Sequence, residues 1–291
     1  MAAAARPLSG PRRRRGVVRW LSRSRSAVIG FAIVGTFAII AALAPQLSPY
    51  DPLAQDLVNR SQPPSRGHLL GTDRLGRDTL SRVIHGSRLS LSVSVGAVSL
   101  GLVSGTAVGL TSGYFRRWLD AVVMRIVDVM LAFPMYLLAI LIMAILGPSA
   151  INTALAIGIA SLPRFGRLVR GEVLSHREAT YVDAARAVGA SDARIMAVHI
   201  LPNILNPIIV TSSLLIGTAI LVEASLSFLG LGLPPPTPAW GLMVNDGLAA
   251  IRSTPWVSIF PGMAITVAVL GFNLLGDGLR DLLDPRLRQG R

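Results

Sequence analysis

Long runs of apolar residues, each near the length that crosses a bilayer, constrain this chain more than any other feature. Ala27 to Ala44, Leu89 to Thr111 and Val257 to Leu275 carry no charged residue, while Ile126 to Leu146 and Ile208 to Leu229 each hold a single acid. A helix needs about 20 such residues to cross the hydrocarbon layer, so the runs predict an all-α integral membrane protein. Composition agrees: 52% of residues are hydrophobic, 15% are charged and the mean hydropathy is +0.57. A soluble domain carries nearer ~25% charged residues.

Two absences narrow the chemistry. With no cysteine, disulfides, thiol nucleophiles and thiolate metal sites are excluded. Lysine is missing too, since all 28 basic residues are arginine. A Walker A phosphate loop requires its lysine, so any ATP that drives this protein must be bound by another chain. A net charge of +13 would suit a nucleic-acid partner, but the arginines flank the apolar runs. That arrangement favours membrane topology and no nucleic acid.

In chain order, residues 1–26 form a basic cytoplasmic tail with eight arginines. Residues 27–45 then read as a first transmembrane helix with its N-terminus inside, as the arginine cluster demands. A signal peptide competes, because Ala42-Leu43-Ala44 looks like a cleavage site. The run exceeds a typical signal core, however, and Pro45 would follow the cut directly. Residues 46–88 are polar, turn-rich and placed outside, although their six arginines run against the positive-inside rule. The end of that segment, from His68 to Leu91, reads as a helix capping the outer surface. A secondary reading has it closing the pore or meeting a partner.

The remainder, 89–291, forms the core. In the span Leu89 to Thr111, Gly101 and Gly105 begin a four-residue glycine spacing that Gly109 and Gly113 continue. Each step drifts about 40° around the helix, and the seam lets another helix approach the backbone. Ile126 to Leu146 is the third span, with a kink expected at Pro134. The fourth is the shortest: Ala150 to Leu162 gives thirteen apolar residues before Pro163 and Arg164, too few to cross alone. It is expected to continue as a helix through Phe165, Val169 and Val173. Ile208 to Leu229 and Val257 to Leu275 complete six spans, around an outer excursion from Leu231 to Thr254. Both termini then lie inside.

Between spans four and five, residues 175–202 form a charged loop patterned as helix, break and helix. Tyr181, Ala184, Ala185 and Val188 recur at i, i+3, i+4 and i+7 and so share one shallow face. Asp183 lies off that face. Gly189 stands where a left-handed cap would end the first helix, Ser191 is a good N-cap for the next, and Pro202 should limit it. The order Asp183-Ala184-Ala185, then Gly189, then Leu201-Pro202 resembles the EAA loop of the permease subunits of ABC-type importers. Asp183 replaces the usual glutamate, and His199 stands where the general pattern has isoleucine. YVDAARAVGAS, HILPN, GTDRLGRD, LAFP and PPPTPAWG are similar to the peptide and nickel branch, in its C-type permease. The resemblance covers about Ala27 to Arg286 and implies a type I importer permease fold. It implies as partners a homologous second permease, two ATPase domains holding ATP and magnesium, an extracytoplasmic solute-binding protein and membrane lipid. It also implies that the loop docks on the ATPase, and that the solute is a peptide, with nickel or glutathione as alternatives.

Other chemistry is scarce. Glu223 lies well within a span, toward its outer end, and an intramembrane ionisable residue is by default a functional candidate. It is a candidate for the substrate path, although it could snorkel or pair across the bundle, and structural pairing is preferred. The four histidines, at 68, 85, 176 and 199, show no metal-ligand spacing, so no metal site and no catalytic residue is expected. A secondary transporter would need several intramembrane acids or histidines, which the spans lack, and a membrane enzyme would need clustered nucleophiles.

Overall fold

The computed structural model describes residues 25–283. Most of the basic tail and the last three arginines therefore lie outside the described residues. The chain is helical: α1 (Arg25–Ala42), α2 (Thr79–Phe115), α3 (Arg117–Ala132), α4 (Met135–Leu146), α5 (Ala150–His176), α6 (Thr180–Ala187), α7 (Leu205–Phe228), α8 (Trp240–Leu248) and α9 (Trp256–Leu283). Among the described residues the only β pairing is an isolated bridge between Thr72 and Asp78.

By length and composition α1, α2, α9, and α7 with the turns before it can each cross a membrane. The α3–α4 pair makes a fifth crossing if taken as one broken span, bent by 96°. The kink expected at Pro134 is thus a full break. Phe133 and Pro134 are both extended, because a proline ring disfavours helical geometry in the residue before it. The short fourth run lies in a single helix of 27 residues with Pro163 inside it. That helix is not among those apolar enough to cross by themselves, so four or five of the six expected spans are found among the described residues. Its buried face runs past the apolar stretch to Phe165, Val169 and Val173.

The glycine seam explains why α2 and α5 form the most extensive helix pair. Gly101 lies on Gly158 and Ser161, Gly105 on Leu162 and Phe165, Gly109 on Gly166 and Val169, and Gly113 on Val173. The numbers rise together, so α2 and α5 run parallel. Parallel neighbours need an odd number of crossings between them, and the bent α3–α4 pair supplies one. Contacts of Gly217 and Gly276 run α7 and α9 antiparallel, as those of Gly30, Gly271 and Gly278 do for α1 and α9. The first and last described residues therefore lie at the same end of the bundle as α6.

At the opposite end, residues 48–78 fold into a compact lobe, and this corrects the expected capping helix: α2 begins only at Thr79. Gly71 and Gly76 take positive φ, where a side chain would be strained. Between them Asp73 accepts from the backbone N–H groups of Leu75 and Arg77 and pairs with Arg77 Nε at 2.6 Å. Asp78 caps α2 by accepting from Ser81 N. Arg82 is 2% exposed, with Asp73 at 3.8 Å and Asp246 of α8 at 3.9 Å. Trp256 donates to Thr72 O, and Trp240 to Val83 O. Trp240 thus ties the outer excursion to α2, and Trp256 ties the start of α9 to the lobe.

Candidate functional site

Two places hold the residues singled out in the sequence, and the loop at the α6 end comes first. Helix α6 has only eight residues, and its inward stripe is Val182 and Ala185, both buried. They pack with Val169, Val173, Ile195, Ile200, Ile204 and Ile208. Tyr181, Ala184 and Val188 are exposed, Val188 to 84%. The face read from the sequence therefore splits. Ala185 belongs to the bundle side, because in so short a helix the i, i+3 pair with the larger Val182 sets the buried stripe.

The break is as expected. Gly189 has φ +82° with open space around it, and Ser191 caps the following turn by accepting from Arg194 N. Asp183 is exposed and pairs with Arg186 at 3.1 Å. The role given to Pro202 needs correction. The second helix does not stop there: one α turn (Asp192–Arg194) widens into a π-helical stretch (Ile195–Ile200), then a 3-10 turn (Leu201–Ile204), and runs on into α7. Leu201 N donates five residues back to Met196 O. Widening the turn accommodates a ring that has no N–H and that would strike the carbonyl four residues earlier.

One residue at this end was not anticipated. Tyr114, 6% exposed near the last turn of α2, donates its hydroxyl to Asp192 Oδ1 at 2.6 Å. The guanidiniums of Arg177 and Arg186 lie 5.9 and 5.8 Å from its ring centroid. Arg177 also donates to the Tyr114 carbonyl. The partners are up to 78 residues apart in the chain, and no local spacing signals such a contact. A tyrosine at the end of a span beside two arginines was the only available hint.

The second place is Glu223, near the lobe end of α7. It is 0% exposed, so it does not snorkel. Ser227 Oγ, one turn on, donates to Oε1 at 2.8 Å and accepts from Leu233 N. Oε2 has no hydrogen-bond partner, and Ser90 Oγ of α2, buried and also without one, faces the same carboxyl. No ion pair reaches Glu223 among the described residues, so the expected pairing is with a serine of its own helix rather than with a cation across the bundle. Gly241 lies against the Ala224 backbone and closes the site from α8.

With this geometry in place, comparison with known proteins defines the class. Residues 105–289 match the family described as binding-protein-dependent transport system inner membrane component. The chain belongs to that family, the permeases of ABC importers, and is a multi-pass inner-membrane protein of the type I permease fold. In general terms, membership implies a partner permease, ATPases and a binding protein.

Within the class the match is more particular. Residues 14–64 match the N-terminal TM domain of oligopeptide transport permease C. The dipeptide transport system permease protein DppC of Alkalihalophilus pseudofirmus is 48% identical, over 94% of this chain and 90% of the relative. The glutathione transport system permease protein GsiD of Pectobacterium atrosepticum is 46% identical over 91% and 89%. A putative peptide transport system permease protein of Brucella suis is 45% identical over 93% and 91%.

Proposed function

We propose that this chain is the C-type permease of an ATP-driven importer that takes up oligopeptides or dipeptides. It forms the translocation path with a homologous second permease and catalyses no reaction itself. ATP and magnesium sit on two partner ATPase domains, and an extracytoplasmic solute-binding protein delivers the solute. The α6 end, with both chain termini, faces the cytoplasm, and the lobe faces outward.

The observation that carries this reading is the uncovered strip of Tyr181, Ala184 and Val188 on α6, in a loop whose other face is sealed against the bundle. Small side chains leave room for a close partner surface, and Gly189 at positive φ fixes where the strip ends. In this reading Asp183 presents charge at the rim of the ATPase groove. Val182 and Ala185 hold the helix down, and Leu201 and Pro202 set the return into α7. The printed names of the relatives at 48% and 45% identity support a peptide solute. The relative at 46% favours glutathione as a second reading.

The test is the reconstituted importer with its ATPases and binding protein. Uptake of labelled dipeptides, longer peptides and glutathione separates the solutes. Ala184→Glu and Val188→Glu place a charge on the exposed strip without touching a span. Both should lower ATPase copurification or coupled uptake at least about tenfold, the effect of burying an unpaired charge at a contact. Normal coupled transport in both variants would remove the strip from the mechanism.

A further inference from the structure

Tyr114 is the point where the loop at the α6 end is tied to α2. Three separate parts of the loop converge on it. Arg177, before α6, donates to its carbonyl; Arg186, in the last turn of α6, lies over its ring; and Asp192, after the break, accepts from its hydroxyl. The other contacts of the loop are less directional. Val182 and Ala185 rest on an apolar cluster, whose contacts are non-directional. The pair between Arg116 and Glu178 is exposed at both side chains, where such pairs contribute little. Tyr114 is buried and Asp192 is exposed, and the bond between them, at 2.6 Å from a hydroxyl to a carboxylate, is directional and charge-assisted.

What Tyr114 is attached to gives this contact its consequence. Helix α2 is packed along four glycines onto α5, backbone against backbone. At its far end Arg82 enters the lobe, and Ser90 faces Glu223. A displacement of α6 therefore reaches the lobe end through one stiff helix pair, provided that the loop cannot slip on Tyr114.

We propose that Tyr114 is the positioning residue that transmits movement of α6 to α2, and that its hydroxyl bond to Asp192 fixes the register of that transmission. The inference rests on the reading of α6 as the ATPase-docking element.

The experiment uses the complete reconstituted importer, with three readouts: ATPase copurification, ATP hydrolysed, and solute taken up per ATP. Tyr114→Phe keeps the ring beside the two guanidiniums and removes only the hydroxyl; Asp192→Ala removes the acceptor. Each should leave copurification and basal hydrolysis unchanged and lower uptake per ATP about tenfold, the factor that one hydrogen bond to a charged group allows. The double variant should be no worse than either single one, because both delete the same interaction. Unchanged uptake per ATP in Tyr114→Phe would overturn the proposal, as would fully additive losses or loss of copurification. Val188→Glu, measured alongside, separates the two readings: normal copurification and coupling there removes α6 as the docking element, whatever Tyr114→Phe does.

Discussion

Replacing glycines of the α2 seam by alanine should destabilise the fold at two positions and strengthen it at a third within the same helix. A Cβ on Gly105 would lie 2.6 Å from both the Leu162 carbonyl oxygen and Phe165 Cβ, and one on Gly109 2.5 Å from the Gly166 carbonyl oxygen. Those distances fall about 0.8 Å short of ordinary contact. The obstructing atoms belong to the α5 backbone or sit next to it, so no side chain can swing away and the helices must part. Overpacking of this kind costs roughly 1–3 kcal/mol, while alanine in a helix returns about 0.5–1 kcal/mol. The net loss for Gly105→Ala and Gly109→Ala is up to about 2.5 kcal/mol. Gly96, also in α2, has nothing within 4 Å of its added Cβ. Gly96→Ala should therefore show only the gain, about 0.5–1 kcal/mol. Reversible unfolding of the purified chain in mixed detergent micelles measures all three. If Gly105→Ala and Gly109→Ala prove as stable as Gly96→Ala, backbone contact with α5 is not what the seam provides.

Two further predictions follow from the lobe end. Glu223→Gln keeps an acceptor for Ser227 and removes a buried ionisable carboxyl that has no cationic partner among the described residues, so stability should be unchanged or up by about 1 kcal/mol and uptake in the reconstituted importer largely preserved. A well-assembled variant that no longer transports would instead place the charge in the solute path. The Asp246 carboxyl is raised by burial, against the opposing pull of Arg82 and Arg77. It therefore holds its proton to higher pH in the folded state than in the unfolded chain, and its contribution to stability is full below the unfolded value of about 3.9 and is lost as pH rises through the raised one. Hydrogen exchange in residues 50–78 should quicken over that window, and Asp246→Asn should abolish this part of the pH dependence; an unchanged slope would contradict the assignment.

Much of this arrangement was legible because the membrane imposes simple rules. Apolar length located four crossings and the bent α3–α4 pair, four-residue glycine spacing located the closest helix contact, and Gly189 and Ser191 marked the break after α6 through backbone geometry alone. What escaped had non-local causes. Helix α2 starts ten residues before its apolar run, because Asp78 caps it and the polar first turns are buried against the lobe and α8. Ala185 was placed on the wrong side of α6 because an eight-residue helix offers two overlapping stripes, and only the bundle beneath decides between them. Tyr114 and Asp192 meet through folding over a long stretch of chain, and Pro202 bends a continuing helix since a wider turn can absorb its ring.

The lobe also bears on the one conflict in the sequence, the six arginines of 46–88 on the proposed outer side. Positive residues oppose such a placement when they are free to interact with the cytoplasmic leaflet and the membrane potential. Arg77 and Arg82 are not free once the chain has folded. They are 6% and 2% exposed, and both lie beside Asp73 and Asp246. A buried guanidinium without such partners would cost several kcal/mol, so Arg77, Arg82, Asp73 and Asp246 form one unit. Asp246 comes from the excursion between α7 and α9, and that unit is complete only when both outer segments lie on the same side of the membrane. The aspartates that carry little weight in a charge count therefore act through the fold: they link the two outer segments, and with them the starts of α2 and α9, into a single end of the bundle.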